Sequence, residues 1–147
     1  MPAYRHILAA VDFASSAEQV CRQAAEVANQ FQAQVTLLHV VEYLPPLDVA
    51  YEPITPTDWM VDENILLQRG EASLTKLAGK LGLDAAHRLV RLGVPKHTIL
   101  DVAQEHGVDL VVLGSHGRHG IGRLLGSTAD AVLHHAECDV LAVRIKK

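Results

Sequence analysis

The sequence predicts an α/β fold: a single open parallel sheet of five strands with helices on both faces. Three observations lead there. Four short runs rich in Val, Leu and Ile read as strands hidden on both sides, and segments with helical apolar spacing lie between them. The resulting order β-α-β-α-β-α-β-α-β requires right-handed helical crossovers, because parallel neighbours cannot be joined by a tight turn.

The first strand is HILAAV, His6 to Val11. A helix over Ser15 to Phe31 follows, opened by Ser15-x-x-Glu18, a capping-box pattern in which two side chains satisfy free backbone donors. Val20, Ala24, Val27, Ala28 and Phe31 share its apolar stripe. The second strand is VTLLHVV, Val35 to Val41. Between Val41 and Met60 runs a connection that holds four of the six prolines, two of the three tyrosines and the only tryptophan. Connections this long in a compact domain are lids, binding loops or spacers. Two readings stand: a Pro-stiffened loop packing its aromatics on the body, or a lid or partner-docking loop over the rim of the sheet.

The next helix spans Asp62 to Leu81, with Leu67, Leu74, Leu77, Ala78 and Leu81 at helical spacing and Asp62 and Glu63 in its first turn, where the macrodipole favours acids. HRLVRL, His87 to Leu92, alternates and reads as an edge strand. Pro95 to His106 is helical, with Pro95 suited to the first turn, Ile99, Val102 and Ala103 inward, and Gly107 as the stop. DLVVLG (Asp109 to Gly114), a helix over Ser127 to Ala136 with Ala129, Val132, Leu133 and Ala136 inward, and DVLAVRI (Asp139 to Ile145) complete the chain.

With 147 residues, 49% of them hydrophobic and 20% charged, the expectation is one soluble domain over 1–147 with one core. The formal net charge of −4 gives no basic field for a polyphosphate backbone, so nucleic acid is not an expected partner. Cys21 and Cys138 are far apart, without zinc-site spacing, and are expected to be small core residues. The apolar run Ile7 to Val11 is too short for a signal peptide and no stretch is long enough to span a bilayer, so the expected compartment is the cytoplasm and the chain is not membrane-embedded.

In open parallel sheets, ligands bind at the carboxyl ends of the strands where the winding direction reverses. The segment Gly114-Ser115-His116-Gly117-Arg118-His119-Gly120-Ile121-Gly122-Arg123-Leu124-Leu125-Gly126-Ser127-Thr128 leaves one such end and enters a helix. It holds half of the ten glycines, two Arg, two His and no acid. Glycines let amides turn inward, and a helix start leaves its first N–H groups unpaired, so together they form an anion cradle. Ser127 is expected to cap the helix, with its hydroxyl or that of Thr128 donating to a phosphate, while Asp130 works mildly against an anion. The plain alternative is a flexible loop crossing the sheet edge. No GxxxxGK[ST] is present, and Gly120-x-Gly122-x-x-x-Gly126 matches a dinucleotide fingerprint only loosely.

Asp12 ends the first strand, where its carboxylate either accepts from ribose hydroxyls or an adenine amino group or helps cap the next helix. Val40 beside it offers an apolar wall for a base, or a core valine.

HILAAVDF, LLHVVE, GVPKHTI (Gly93 to Ile99), DLVVLGSHGR and LLGSTADAVLHHAECDVLAVR resemble the blocks of the universal stress protein (UspA) family over essentially the whole chain. The resemblance implies strand order 3-2-1-4-5, a Rossmann-like sheet of the adenine nucleotide alpha hydrolase type, and ATP as ligand, with Mg left open. Nucleotide-binding members carry G-x2-G-x9-G-[ST]. Here Gly114-x2-Gly117 and Gly126-Ser127 match, but eight residues separate Gly117 from Gly126, one fewer than the pattern. The resemblance places Ala10, Val11, Asp12, Val40, Gly114, His116, Gly117, Arg118, Gly126, Ser127 and Thr128 around the nucleotide.

In that order the last strand, Val140 to Ile145, is a free edge, and such edges pair with other chains. An isologous homodimer through it is expected, with Arg144, Lys146 and Lys147 limiting growth into a higher oligomer. The leading expectation is an ATP-binding, dimeric stress-response regulator. The alternatives are a non-nucleotide adaptor for a partner such as a membrane transporter or sensor kinase, and a slow ATPase using His116 or His119. No GxSxG elbow surrounds Ser115, and His134-His135, adjacent on a helix, point apart and make a poor metal site.

Overall fold

Nine elements alternate along the computed structural model, which describes residues 4–12, 16–42, 63–115 and 125–145. They are β1 (His6–Val11), α1 (Ala17–Phe31), β2 (Gln34–Glu42), α2 (Glu63–Lys80), β3 (His87–Gly93), α3 (Pro95–Glu105), β4 (Leu110–Gly114), α4 (Ser127–His135) and β5 (Asp139–Val143). All strand pairs are parallel and the order is β3-β2-β1-β4-β5. The expected fold class and strand order are therefore the observed ones.

Side-chain alternation along the central strands builds two apolar layers. Ile7, Ala9 and Val11 of β1 join Val35 and Leu37 of β2 against Val20, Cys21 and Ala24 of α1 and Leu74 and Ala78 of α2. Leu8, Leu38 and Val40 turn to the other face, against Ile99, Val102 and Ala103 of α3 and Ala129 and Val132 of α4. Because both faces are covered, these strands carry no polar alternation. Close approach of α2 depends on Gly70: a Cβ there would lie 2.7 Å from Val90 Cγ1 on β3.

Several helix details depart from expectation. Ser15 lies outside the described residues, as does Asp62. The N-cap of α1 is Ser16, in helical conformation and making no side-chain cap bond. Glu18 reaches across to Lys80 of α2, with Arg22 a second partner, and Lys80 holds its carboxyl below the usual range. Phe31 and Leu133, read as inward, are exposed; Phe31 finds an edge-to-face partner in Tyr4, ring centroids 5.1 Å apart. Cys21 is buried, while Cys138 is only half-buried. Strand β5 stops at Val143, two residues earlier than expected.

The amino-terminal rim of the sheet is tied shut. The Asp109 carboxylate accepts from the amides of Arg5 (2.8 Å) and His6 (2.9 Å), and the Asp109 amide donates back to the His6 carbonyl. The Tyr4 hydroxyl donates to Asp139 at 2.6 Å, a bond that raises the phenol's pKa because the carboxylate disfavours ionisation. The opposite rim is built differently.

Candidate functional site

At the carboxyl rim, the three central ladders end at different heights. β1 stays paired with β2 up to Val11–His39, and β4 stays paired with β5 up to Gly114–Val143. The pairs between β1 and β4 run only from Ile7–Leu110 to Ala9–Val112. Ala10 and Val11 on one side and Leu113 and Gly114 on the other thus flank a stretch of the rim without β1–β4 ladder pairing. It lies where the winding direction reverses, the place at which open sheets bind ligands.

Beyond Gly114, the backbone of Ser115 is used on two sides. Its amide donates to the Val143 carbonyl at 2.8 Å, and its carbonyl accepts from the Gly126 amide at 2.7 Å. The chain therefore re-enters α4 at the point where it left β4. Gly126, and not Ser127 as expected, is the N-cap of α4 (φ −62°, ψ 153°), with no side-chain cap bond. Any residue adopts that φ, so the glycine is not required by backbone conformation. The first intrahelical bond is donated by Asp130 to the Gly126 carbonyl, which leaves the amides of Ser127, Thr128 and Ala129 without an intrahelical acceptor at the positive end of the helix. Ser127 is exposed and Thr128 half-buried. Asp130 stands beside His134, its carboxylate 3.4 Å from Nδ1.

Asp12 follows β1 directly and is half-buried. The offset of the β1–β2 ladder, carried one residue further, sets it level with Val40, and that of the β1–β4 ladder, carried three residues past its last pair, sets it level with Ser115. Val40 is buried in the α3–α4 layer and Ala10 packs on the same layer. Val11 turns its side chain into the opposite layer, so only its backbone faces the rim. That backbone is engaged: His39 Nδ1 lies 2.8 Å from the Val11 carbonyl oxygen.

Ala10, Val11, Asp12, Val40, Gly114, Gly126, Ser127 and Thr128 thus gather at one rim through β1, β2, β4 and α4. His116, Gly117 and Arg118 lie outside the described residues, as do His119, Gly120, Gly122, Arg123, the Pro-rich connection over 43–60, Lys146 and Lys147. Sequence reasoning missed His39 and the early end of the β1–β4 ladder. A signal existed for the first: a single histidine inside the apolar run of β2. An open groove of about 340 Å³ between the carboxyl-terminal halves of α3 and α4, lined by Leu100, Asp101, Gln104, Glu137 and Cys138 among others, sits at the opposite rim.

Comparison with known proteins agrees with this fold. The universal stress protein family matches residues 3–144. Universal stress protein A homolog 2 of Coxiella burnetii is 41% identical over 147 residues, covering 99% of both chains. Universal stress protein UspA from Lactobacillus plantarum superposes with a TM-score of 0.75 at 30% identity, covering 99% of this chain and 100% of that one. The universal stress protein from Archaeoglobus fulgidus, solved in complex with dAMP, superposes with a TM-score of 0.62 at 25% identity, covering 99% and 100%. No described helix is long and apolar enough to cross a membrane.

Proposed function

The chain belongs to the universal stress protein family, and from that premise we propose that it binds ATP at the rim between β1 and β4 and acts as a homodimeric regulator in the cytoplasm, one domain over 1–147. The observation that carries this reading is the uncapped start of α4 beside the point where the β1–β4 ladder ends. The flat face of the base fits against Ala10 and Val40, and the Asp12 carboxylate accepts from the sugar hydroxyls or the amino group. The phosphates take the amides of Ser127 and Thr128 and their hydroxyls, with Gly114 and Gly117 as backbone donors, Gly126 holding the helix start through its bond to Ser115, and His116 and Arg118 as positive charge. The dAMP complex of a relative at 25% identity supports an adenine nucleotide.

Among the described residues no three His, Cys, Asp or Glu side chains cluster to hold a metal; a Mg ion arriving with ATP would be held by the nucleotide. Hydrolysis would require a positioned water and neutralisation of the leaving oxygen. A second reading, an adaptor without nucleotide that serves a partner such as a transporter, draws on the spacing of eight residues between Gly117 and Gly126.

The test is an amide chemical-shift titration with ATP. The reading expects movement at Asp12, Gly114, Ser127 and Thr128 and none at Asp101 and Glu137 on the opposite rim. Movement confined to that rim, or none at saturating ATP, contradicts it.

A further inference from the structure

We infer that His39 is a positioning residue for the nucleoside end of this site: its imidazole holds the peptide plane that joins Val11 to Asp12. The inference rests on the nucleotide reading above and adds a residue to it.

His39 sits level with Val11 in the β1–β2 ladder, its Nδ1 2.8 Å from the Val11 carbonyl oxygen. A carbonyl only accepts, so Nδ1 carries the proton and donates. That oxygen and the Asp12 amide belong to one planar unit. A bond to the oxygen restrains rotation of the plane, and with it the direction in which the Asp12 side chain leaves the strand.

The restraint acts where β1 has a paired neighbour on one side only. Pairing of β1 with β4 runs only as far as Ala9, so the last two residues of β1 are held by ladder pairing to β2 alone. Within β2 the neighbours are apolar: Leu37, Leu38 and Val40 are all buried. A half-buried imidazole among them carries a desolvation cost that polar partners offset, and one of its partners is the backbone next to the proposed nucleoside contact. The other neighbour of His39 in the sheet is Val90, against which Gly70 of α2 lies.

The phosphate cradle at α4 does not pass through this bond. Loss of His39 therefore falls on the nucleoside and spares the phosphates. A merely structural role would weaken both.

The test uses the full chain. His39→Leu removes the donor; His39→Asn restores an N–H at nearly the reach of Nδ1. Affinities for adenosine, ATP and inorganic triphosphate are measured together with the Asp12 amide resonance. The expected result is that His39→Leu weakens adenosine and ATP by about three- to tenfold, the range one oriented hydrogen bond commands. Inorganic triphosphate stays unchanged, the Asp12 resonance moves, and His39→Asn returns both readouts toward wild type. Should His39→Leu fail to fold, His39→Gln, whose amide extends past the position of Nδ1, replaces it. An Asp12 resonance that stays in place overturns the inference whatever the affinities, and so does an equal loss for adenosine and triphosphate. If the wild type binds neither adenosine nor ATP, the nucleotide reading falls, and the Asp12 resonance alone decides whether His39 holds the plane.

Discussion

The amide of Gly126 donates to the carbonyl of Ser115 at 2.7 Å, closing the chain on itself between β4 and α4. This clasp fixes where α4 begins, and hence where its unpaired amides stand relative to the end of β1. Because Ser115 also donates to Val143 of β5, the start of α4 is tied to the edge strand as well as to the central one.

Gly126→Pro isolates the clasp. Proline suits the observed φ of −62° and ψ of 153° but lacks the N–H. The expected cost is about 1 kcal/mol in a denaturant midpoint, with ATP affinity reduced about tenfold or more as the helix start shifts. Lowered stability with wild-type ATP affinity would show that the clasp does not orient the cradle.

Gly70→Ala should destabilise the protein although alanine gains about 1 kcal/mol of helix propensity. The added Cβ would meet Val90 Cγ1 at 2.7 Å, and overpacking of this kind costs about 1–3 kcal/mol. A net loss of about 1 kcal/mol is expected by chemical unfolding. Combination with Val90→Ala should show a favourable coupling, measured in a double-mutant cycle. Additivity would place the contact elsewhere.

Burial pushes the Cys21 thiol up to about 11, with Glu18 adding to the effect. The folded state then keeps its proton while the unfolded thiol ionises near its ordinary value of 9.0. From pH 9 toward 11 the unfolded state binds fewer protons, so stability falls as pH rises. Thermal unfolding across that window should fall more steeply for the wild type than for Cys21→Ala; parallel slopes would contradict the burial account. Native Cys21 should also resist alkylation at neutral pH, reacting only on unfolding.

The Val143 carbonyl accepts from Ser115, so that residue's backbone faces β4. Alternation along a parallel strand then turns the N–H of Ala142 outward, to the open edge of the sheet. If copies of the chain pair through this edge, Ala142→Pro removes an intermolecular donor without breaking a bond to β4. Sedimentation equilibrium should find a dimer for the wild type and a shift toward monomer for the variant. A wild-type monomer at high micromolar concentration contradicts edge pairing.

The sheet was legible because burial on both faces leaves uninterrupted apolar strands. HILAAV coincides with β1 to the residue. Less legible were features that depend on neighbours distant in sequence. Ser15-x-x-Glu18 has the pattern of a capping box, and Ser15 lies outside the described residues; what the pattern does not reveal is that Glu18 pairs with Lys80, sixty-two residues away in sequence. Leu133 has the spacing of an inward residue, but α4 is short and beds on the sheet through Ala129 and Val132, leaving Leu133 outside. At the site, glycine content and the hydroxyls pointed to the start of α4, but Ser127 proved to be its first residue and not its cap. The tether from His39 to Val11 depends on strand register, which a single histidine in an apolar run hints at without revealing its partner.

Isothermal titration of the full chain with ATP, with dAMP as competitor, addresses the main proposal most directly. The expected result is one site per chain with a Kd of micromolar order, about −8 kcal/mol, displaced by dAMP. Absence of both heat and displacement at millimolar ATP would contradict it.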